Sequence, residues 1–355
     1  MQKTIAVTAV VFACILAPDA SAMAQSAILN LPRASQHARV TQRIGLTDIT
    51  IDYHRPLVAG RKIFGGLQAY GQVWRAGAND NTTIEVSDPV SIEGRPLPKG
   101  VYGVHMIPGP ASWIVIFSKN STSWGSFTYD EAEDALRVTV KPLAIDNHEA
   151  LSYDFDDPTP TSVVITMRWE KVAVPFKIDV DTPAITARSL GNQLRHRAQF
   201  EWSPWTEAAN FLLANHLSAE EAVKYADASI QIEDRFENEI TESRALTVLG
   251  RLSEAQAARD RALALGTQLQ IHGFARGLQA EGRQDEALEL FRINIQKEPT
   301  SWIAHNNTAR LAVAKGDYDT AIKEMKLAEA AAPASLKTAH ADLIRRLQNH
   351  EDINK

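Results

Sequence analysis

The chain has 355 residues, 45% hydrophobic and 23% charged, so it is globular in composition and longer than one typical core fills. Its net charge is −6 and no dense basic run occurs, which argues against nucleic acid as a partner. The single cysteine, Cys14, leaves no scope for a disulfide within the chain.

The chain begins MQKTIAVTAVVFACILAPDASAMAQSA. Lys3 is followed by an apolar stretch from Thr4 to Ala17, then by Ala20-Ser21-Ala22 and Ala22-Met23-Ala24, two A-x-A cleavage patterns. This predicts a secretory signal peptide over residues 1–24, with a mature chain starting near Met23 or Gln25, exported to the periplasm or beyond. The stretch is too short for a membrane span, and no other run of about 20 apolar residues follows. A competing reading makes Cys14 in Val11-Phe12-Ala13-Cys14 a lipoprotein site, against which stand the bulky Phe12 and the apolar run continuing past Cys14. A mature chain without cysteine is held by its cores alone.

From Thr41 to Asp181 the hydrophobic pattern has period two, as in Ile49, Ile51 and Tyr53 alternating with Asp48, Thr50 and Asp52. Further strands are predicted at 82–86, 90–93, 101–106, 113–118, 135–140, 150–155, 162–169 and 174–180. Turn signals such as Pro98-Lys99-Gly100 and Pro108-Gly109-Pro110 separate some of them, and the whole predicts an antiparallel sandwich or barrel over residues 25–181. One connection breaks the rhythm: 28 residues lie between Tyr53 and Thr82. Ordered loops of that length tend to be functional, and a short helix is expected from Arg61 to Ala69.

Residues 182–204 form a join, and from about Trp205 to residue 355 alanine- and leucine-rich helices take over. Gly282, Ala287, Phe291 and Pro299 recur 34 residues later as Gly316, Ala321, Met325 and Pro333, and Ala275 recurs as Ala309. GRQDEALELFRINIQKEP and GDYDTAIKEMKLAEAAAP therefore match the tetratricopeptide pattern. Gly250 with Ala255 marks an earlier unit, residues 215–232 a degenerate first one, and residues 336–349 a capping helix. Three or four stacked helical pairs make a short solenoid with a concave face.

The first half resembles the bacterial family called domain of unknown function 2911. The resemblance rests on Tyr53-x-Arg55-Pro56, Gly60-Arg61-x-Ile63-Phe64-Gly65 and Val73-Trp74-Arg75-x-Gly77-Ala78-Asn79 with Thr82. It continues in Leu97-Pro98-x-Gly100-x-Tyr102, Ile107-Pro108-Gly109, Trp124-Gly125 and Tyr129-Asp130, and covers about residues 30–181. His54 stands where the pattern commonly has serine. The resemblance implies export and this two-part architecture, but no activity.

The candidate ligand site is the long connection. Trp74 offers a flat face for a sugar or aromatic ring, Arg75 a planar fork for a carboxylate or phosphate, and Asn79 a donor and an acceptor. The alternative is structural: Trp74 plugs the sandwich end, Arg75 satisfies loop carbonyls, Gly77 supplies an unusual backbone angle and Asn79 caps a turn. Arg55, Arg61 and Arg75 share this connection and form either an anion site or ion pairs with Asp80, Asp130, Glu131, Glu133 or Asp134. His105, with Val101, Gly103 and Ile107 on a face expected to be the inner one, is a candidate base or a hydrogen-bonded core residue, and His54 comes next. No metal-ligand spacing occurs, convergence of His54, His105 and His148 being the one route to a metal site, and no cofactor is expected. No G-x-S-x-G is present, although Ser123 and Ser126 flank Trp124-Gly125. Asp154, Asp156 and Asp157 with Asp130 and Asp134 are the carboxylates for a glycosidase pair, or simply a solvated strand face.

In the helical half, Trp302, His305, Asn306 and Arg310 fall on a first helix of a pair, the kind that lines the concave face. Asn306 and Arg310, four apart, are placed to grip a peptide backbone or carboxylate. The expected function is a non-enzymatic envelope binding or assembly protein. Its solenoid holds a protein or peptide and its β domain binds a small polar or anionic ligand. The alternative is a hydrolase acting on a carbohydrate or related envelope substrate.

Overall fold

The computed structural model describes residues 32–355; the predicted signal segment and Cys14 lie outside them. Ten strands come first: β1 (Gln36–Ile44), β2 (Thr47–Arg55), β3 (Thr83–Val86), β4 (Val90–Ile92), β5 (Arg95–Leu97), β6 (Gly100–Ile107), β7 (Trp113–Ser118), β8 (Asp134–Val140), β9 (Leu143–Asp156) and β10 (Ser162–Asp179). They form an antiparallel six-stranded sheet in the order β1-β2-β3-β6-β7-β8 and a four-stranded sheet in the order β5-β4-β10-β9. Ile49 and Ile51 of β2, Val104 and Met106 of β6, Val115 and Phe117 of β7 meet Tyr153 of β9 and Ile165, Met167 and Phe176 of β10 in one apolar cluster. This is a sandwich, built by alternating inward residues of both sheets.

Two strands expected at 162–169 and 174–180 are one strand, β10. The polar Glu170-Lys171 break between them is an irregularity in its pairing with β9, where Glu170 takes a positive φ of 55°. The helix expected from Arg61 to Ala69 does not form. Gly65 is left-handed at φ 75°, and the segment closes instead by a bridge between Phe64 and Gln68. The long connection is ordered because it borrows sheet edges at both ends. Val58 N donates to Glu149 O of β9 (2.8 Å), and Trp74 exchanges backbone hydrogen bonds with Met106 of β6 (2.8 and 2.7 Å).

Ten helices follow: α1 (Thr182–Gln193), α2 (Trp202–Ala214), α3 (Ala219–Ile232), α4 (Phe236–Val248), α5 (Leu252–Leu265), α6 (Gln268–Ala280), α7 (Gln284–Ile295), α8 (Trp302–Val313), α9 (Tyr318–Ala331) and α10 (Lys337–Gln348). From α2 to α9 they form four antiparallel pairs, and α10 covers the last. Ala275, Ala287, Ala309 and Ala321, picked out by the 34-residue repeat, are fully buried where helices approach, and Phe291 and Met325 fill equivalent core positions. The join at 182–204 is largely α1, started by the Asp181 side chain accepting from Ala184 N (3.1 Å). Ile185 of α1 is buried in the sandwich core, while Ala187, Leu190 and the following Leu194 pack in the first helical cluster.

Candidate functional site

A cleft of about 650 Å³ opens at one end of the sandwich, over the long connection. Its walls come from Ala34 and Ser35 before β1, from both ends of the long connection (Pro56, Leu57 and Arg61, then Arg75 and Asn79 among others), and from Ser126 and Phe127 between β7 and β8. Trp74 and Trp169 line its base.

Trp74 is a plug. Its ring stacks on Trp169 (centroids 5.6 Å apart, planes at 23°) and meets Phe64 edge-on at 5.9 Å, while Phe64 also meets Trp113 at 4.7 Å. Its Nε1 donates to Gly77 O (3.1 Å). Gly77 itself is required by proximity rather than by an unusual φ, since a Cβ there would lie 2.4 Å from Thr82 Oγ1. The left-handed residues are its neighbours Ala76 (φ 52°) and Asn79 (φ 56°). The Asn79 side chain does not cap its own turn. Its Nδ2 donates to Ser35 O (3.1 Å) and pins the chain before β1 to the cleft wall.

None of the three arginines makes an ion pair among the described residues. Arg55 Nε donates to Leu151 O (3.0 Å), and Arg61 Nε donates to Val58 O (3.0 Å) and its Nη2 to Leu57 O (2.5 Å). The five acids considered as their partners are engaged elsewhere or free of them. Asp80 faces Arg33 (3.5 Å) and His54 (3.7 Å), Glu131 and Asp134 face Arg137, and Asp130 accepts from Ala132 N (2.9 Å). Arg61 lies on the cleft rim, whereas Arg55 is directed to the β9 backbone and does not line the cleft.

Arg75 is different. Its Nη1 donates to Asn79 O, and no other hydrogen bond from its guanidinium is formed among the described residues. Its Cζ sits 5.1 Å from the Trp124 ring centre and 5.8 Å from that of Phe127. These rings stack on one another (5.8 Å, 16°) and are 60% and 77% exposed. Gly125 between them, left-handed at φ 77°, has no side chain to collide with the guanidinium, whose Cζ would lie 3.1 Å from a Cβ. Burial holds the Arg75 pKa below its ordinary value, and the charge of Asp80 opposes this. The result is a half-buried cation against two exposed aromatic faces, with donors to spare.

His105 lies on the outer face of β6, not the inner one, because Tyr102, Val104 and Met106 point into the core. It is nevertheless only 3% exposed. Its Nδ1 is hydrogen-bonded to Ser126 Oγ (2.8 Å), and its ring leans on Tyr129 at 5.3 Å. Its pKa is pushed down to about 4, first by burial and then by the charge of Arg75. The folded form therefore holds a neutral imidazole, whereas the unfolded chain binds a proton near pH 6.5. The corresponding stability is complete above about pH 6.5 and is lost as pH falls through about 4, at up to about 1.4 kcal/mol per pH unit. His105→Gln keeps a hydrogen-bonding group without titrating, so its urea midpoint should fall less than that of the wild type between pH 7 and pH 4.5. Equal falls would remove His105 as a source of acid sensitivity.

His54 and His148 do not join His105. His54 faces Asp80, and His148 Nε2 is hydrogen-bonded to Ser152 Oγ (2.9 Å). Among the described residues no group of three histidine, cysteine or acidic side chains is placed to hold a metal ion. Asp154 and Asp156 are both paired with Arg168 (2.8 and 2.6 Å) and line no part of the cleft. Phe127 is not among the residues the sequence singles out; its signal is an aromatic residue three positions after Trp124, across Gly125 and Ser126.

In the helical part, Asn306 and Arg310 do meet, through Arg310 Nε and Asn306 Oδ1 (3.0 Å), but both are buried rather than open on a groove. Trp302 is half-buried and meets His340 edge-on at 5.5 Å.

The described chain is thus an antiparallel sandwich with a cleft at one end, joined through a helix to a tetratricopeptide-like solenoid. Residues 35–178, a stretch that spans nearly all ten strands, match the family described as "Protein of unknown function (DUF2911)". No curated protein matches the chain. Among solved structures, that of MamA is similar at 17% identity, covering 41% of this chain and 86% of that one with a TM-score of 0.28. That of YrrB, a TPR protein with an unusual peptide-binding site, is similar at 18% identity, covering 45% and 84% with a TM-score of 0.27. The Cut9-Hcn1 hetero-tetramer of APC/C is similar at 17% identity, covering 48% and 34% with a TM-score of 0.29. No helix among the described residues is long and apolar enough to cross a membrane.

Proposed function

We propose that this is an exported, non-enzymatic binding and assembly protein of the cell envelope. Its solenoid holds a protein partner, and its sandwich cleft takes a small ligand that carries an anionic group beside a flat ring. The carrying observation is Arg75, which has no carboxylate partner among the described residues and lies against the exposed Trp124 and Phe127 rings. A carboxylate or phosphate would engage the unused guanidinium donors while its ring extends the aromatic stack. Export rests on the signal pattern of residues 1–24.

Calorimetric titration with benzoate and with glucuronate separates an aromatic from a sugar acid. Wild-type protein should bind at least one of them, and Arg75→Gln should weaken that binding at least tenfold, about 1.4 kcal/mol. The same variant should lose only about 1 kcal/mol of stability, the worth of one hydrogen bond. A stability loss near 3 kcal/mol with no binding of either probe would mean that Arg75 serves the loop alone.

One observation favours a hydrolase instead: Ser126 lines the cleft and shares a 2.8 Å hydrogen bond with His105. Binding is the better reading, since no carboxylate is hydrogen-bonded to His105 among the described residues to orient it as a base.

A further inference from the structure

A segment of the chain itself is seated on α6, α8 and α10 of the last helical pairs. After α10, His350 turns the backbone in the left-handed conformation (φ 56°) and residues 351–354 run back over α6, α8 and α10. Ile353 is 1% exposed and packs with Val313, Ile344 and Leu347. Its carbonyl accepts from Arg310 Nη1 (2.6 Å) and more distantly from Arg276 Nη1 (3.5 Å), and the Asp352 carbonyl accepts from Arg346 Nη2 (3.2 Å). The Asn354 carboxamide is read on both sides: Oδ1 accepts from Gln279 Nε2 (3.0 Å), and Nδ2 donates to Arg310 O (3.0 Å).

The seat combines three peptide-reading devices: an apolar pocket, donors on two successive carbonyls and a two-sided contact with one carboxamide. It is also costly in itself. Arg310 is 4% exposed and, like Arg276, has no carboxylate partner among the described residues. Burial, and then the charges of Arg276 and Arg346, bring the Arg310 pKa down to about 9. Burying an unpaired cation is a poor way to add stability, and a packed apolar side chain would do better there. The arrangement is understandable if the guanidinium groups serve to read an exchangeable backbone.

We propose that the seat formed by Arg276, Gln279 and Arg310 is a binding site for an extended partner peptide with an aliphatic residue followed by asparagine, and that residues 351–354 hold this seat as an intramolecular competitor. This rests on the reading of the solenoid as the partner-holding part and names the peptide chemistry it takes. The competitor is tethered, so its effective concentration is high and a free peptide must displace it.

The probe is a synthetic peptide of residues 350–355, His-Glu-Asp-Ile-Asn-Lys, blocked at both ends and fluorescently labelled. Its binding is followed by anisotropy to the wild-type protein, to a variant lacking residues 351–355, and to full-length Asn354→Ala. Both variants should bind at least tenfold more tightly than the wild type. A peptide with Ala for Asn should bind the shortened chain at least tenfold more weakly, and Arg310→Met in the shortened chain should abolish binding. If the shortened chain misfolds by circular dichroism, Asn354→Ala carries the comparison, since it keeps Ile353 in place. Equal binding by all three proteins, or no binding by folded variants, overturns the proposal. The solenoid's role in holding a partner would survive that result, because another of its faces would still be available. A wild-type dimer dissociated by the peptide would show that the segment is exchanged between copies, and would overturn the intramolecular competitor.

Discussion

Trp74→Ala should lower the unfolding free energy of the protein by about 3–5 kcal/mol, the range for removing a large aromatic side chain from a packed core. The indole is in contact with Trp169 and Phe64, and Phe64 in turn packs edge-on against both Trp113 and Trp169, so its loss leaves a void that a cluster of rigid rings cannot collapse to fill. It also leaves the Gly77 carbonyl without its 3.1 Å donor. Phe127→Ala is the internal control, because that ring is mostly exposed and its removal should change stability by less than about 0.5 kcal/mol. Denaturant titration followed by circular dichroism, which does not depend on the lost fluorophore, measures both. A Trp74 loss below about 1 kcal/mol would show that the ring is not the plug of the sandwich end.

The second large effect is expected at Arg261 on α5. Its Nε donates to Glu239 Oε1 (2.6 Å) and its Nη2 to Glu242 Oε2 (2.7 Å), both on α4. Glu239 is fully buried and Arg261 is its ion-pair partner. Arg261→Ala strands that carboxylate and should cost about 3 kcal/mol, the low end for a broken buried pair because the arginine is itself half exposed. The cost should depend on pH. Burial, and then the nearby Glu239 and Asp227, raise the Glu242 pKa to about 7. A carboxyl raised in the folded state takes up its proton there first, so stability rises as pH falls from about 7 towards its unfolded value. Protonation relieves the repulsion that Arg261 otherwise screens, so the loss in Arg261→Ala should be larger at pH 8 than at pH 5. Arg261→Met with Glu239→Met should recover most of it. A pH-independent loss, or none, would show that the buried carboxylate does not need its arginine.

Much of the architecture was legible because it is local. Period-two alternation marks β2, and the 34-residue return of small residues marks the helical pairs, since both record which side of an element faces the core. What escaped was set by distant partners. The break at Glu170-Lys171 has the composition of a turn but is an irregularity inside one long strand, decided by pairing with β9. Alternation separates the two faces of β6 but does not say which meets the second sheet; Tyr102, Val104 and Met106 do, and His105 is covered on the other face by the Ser126–Tyr129 segment. Trp74 could be seen as an aromatic in a polar loop, but the partner that makes it a plug, Trp169, is 95 residues away. Arg310 was recognised with Asn306 by helical spacing, whereas its contact with Ile353 depends on how the chain turns after α10.

Helix α1 has a consequence for cooperativity. Ile185 near its start is buried with the sandwich and Leu190 near its end with the first helical pair, and the Thr182 hydroxyl is tied to Pro160 O (3.0 Å). One short rod is therefore shared property of two cores, and neither can melt without stripping a face from it. The two halves should behave less like beads on a string than like coupled folding units, with a disturbance at the cleft end of the sandwich felt as a change in the opening free energy of α2 and α3.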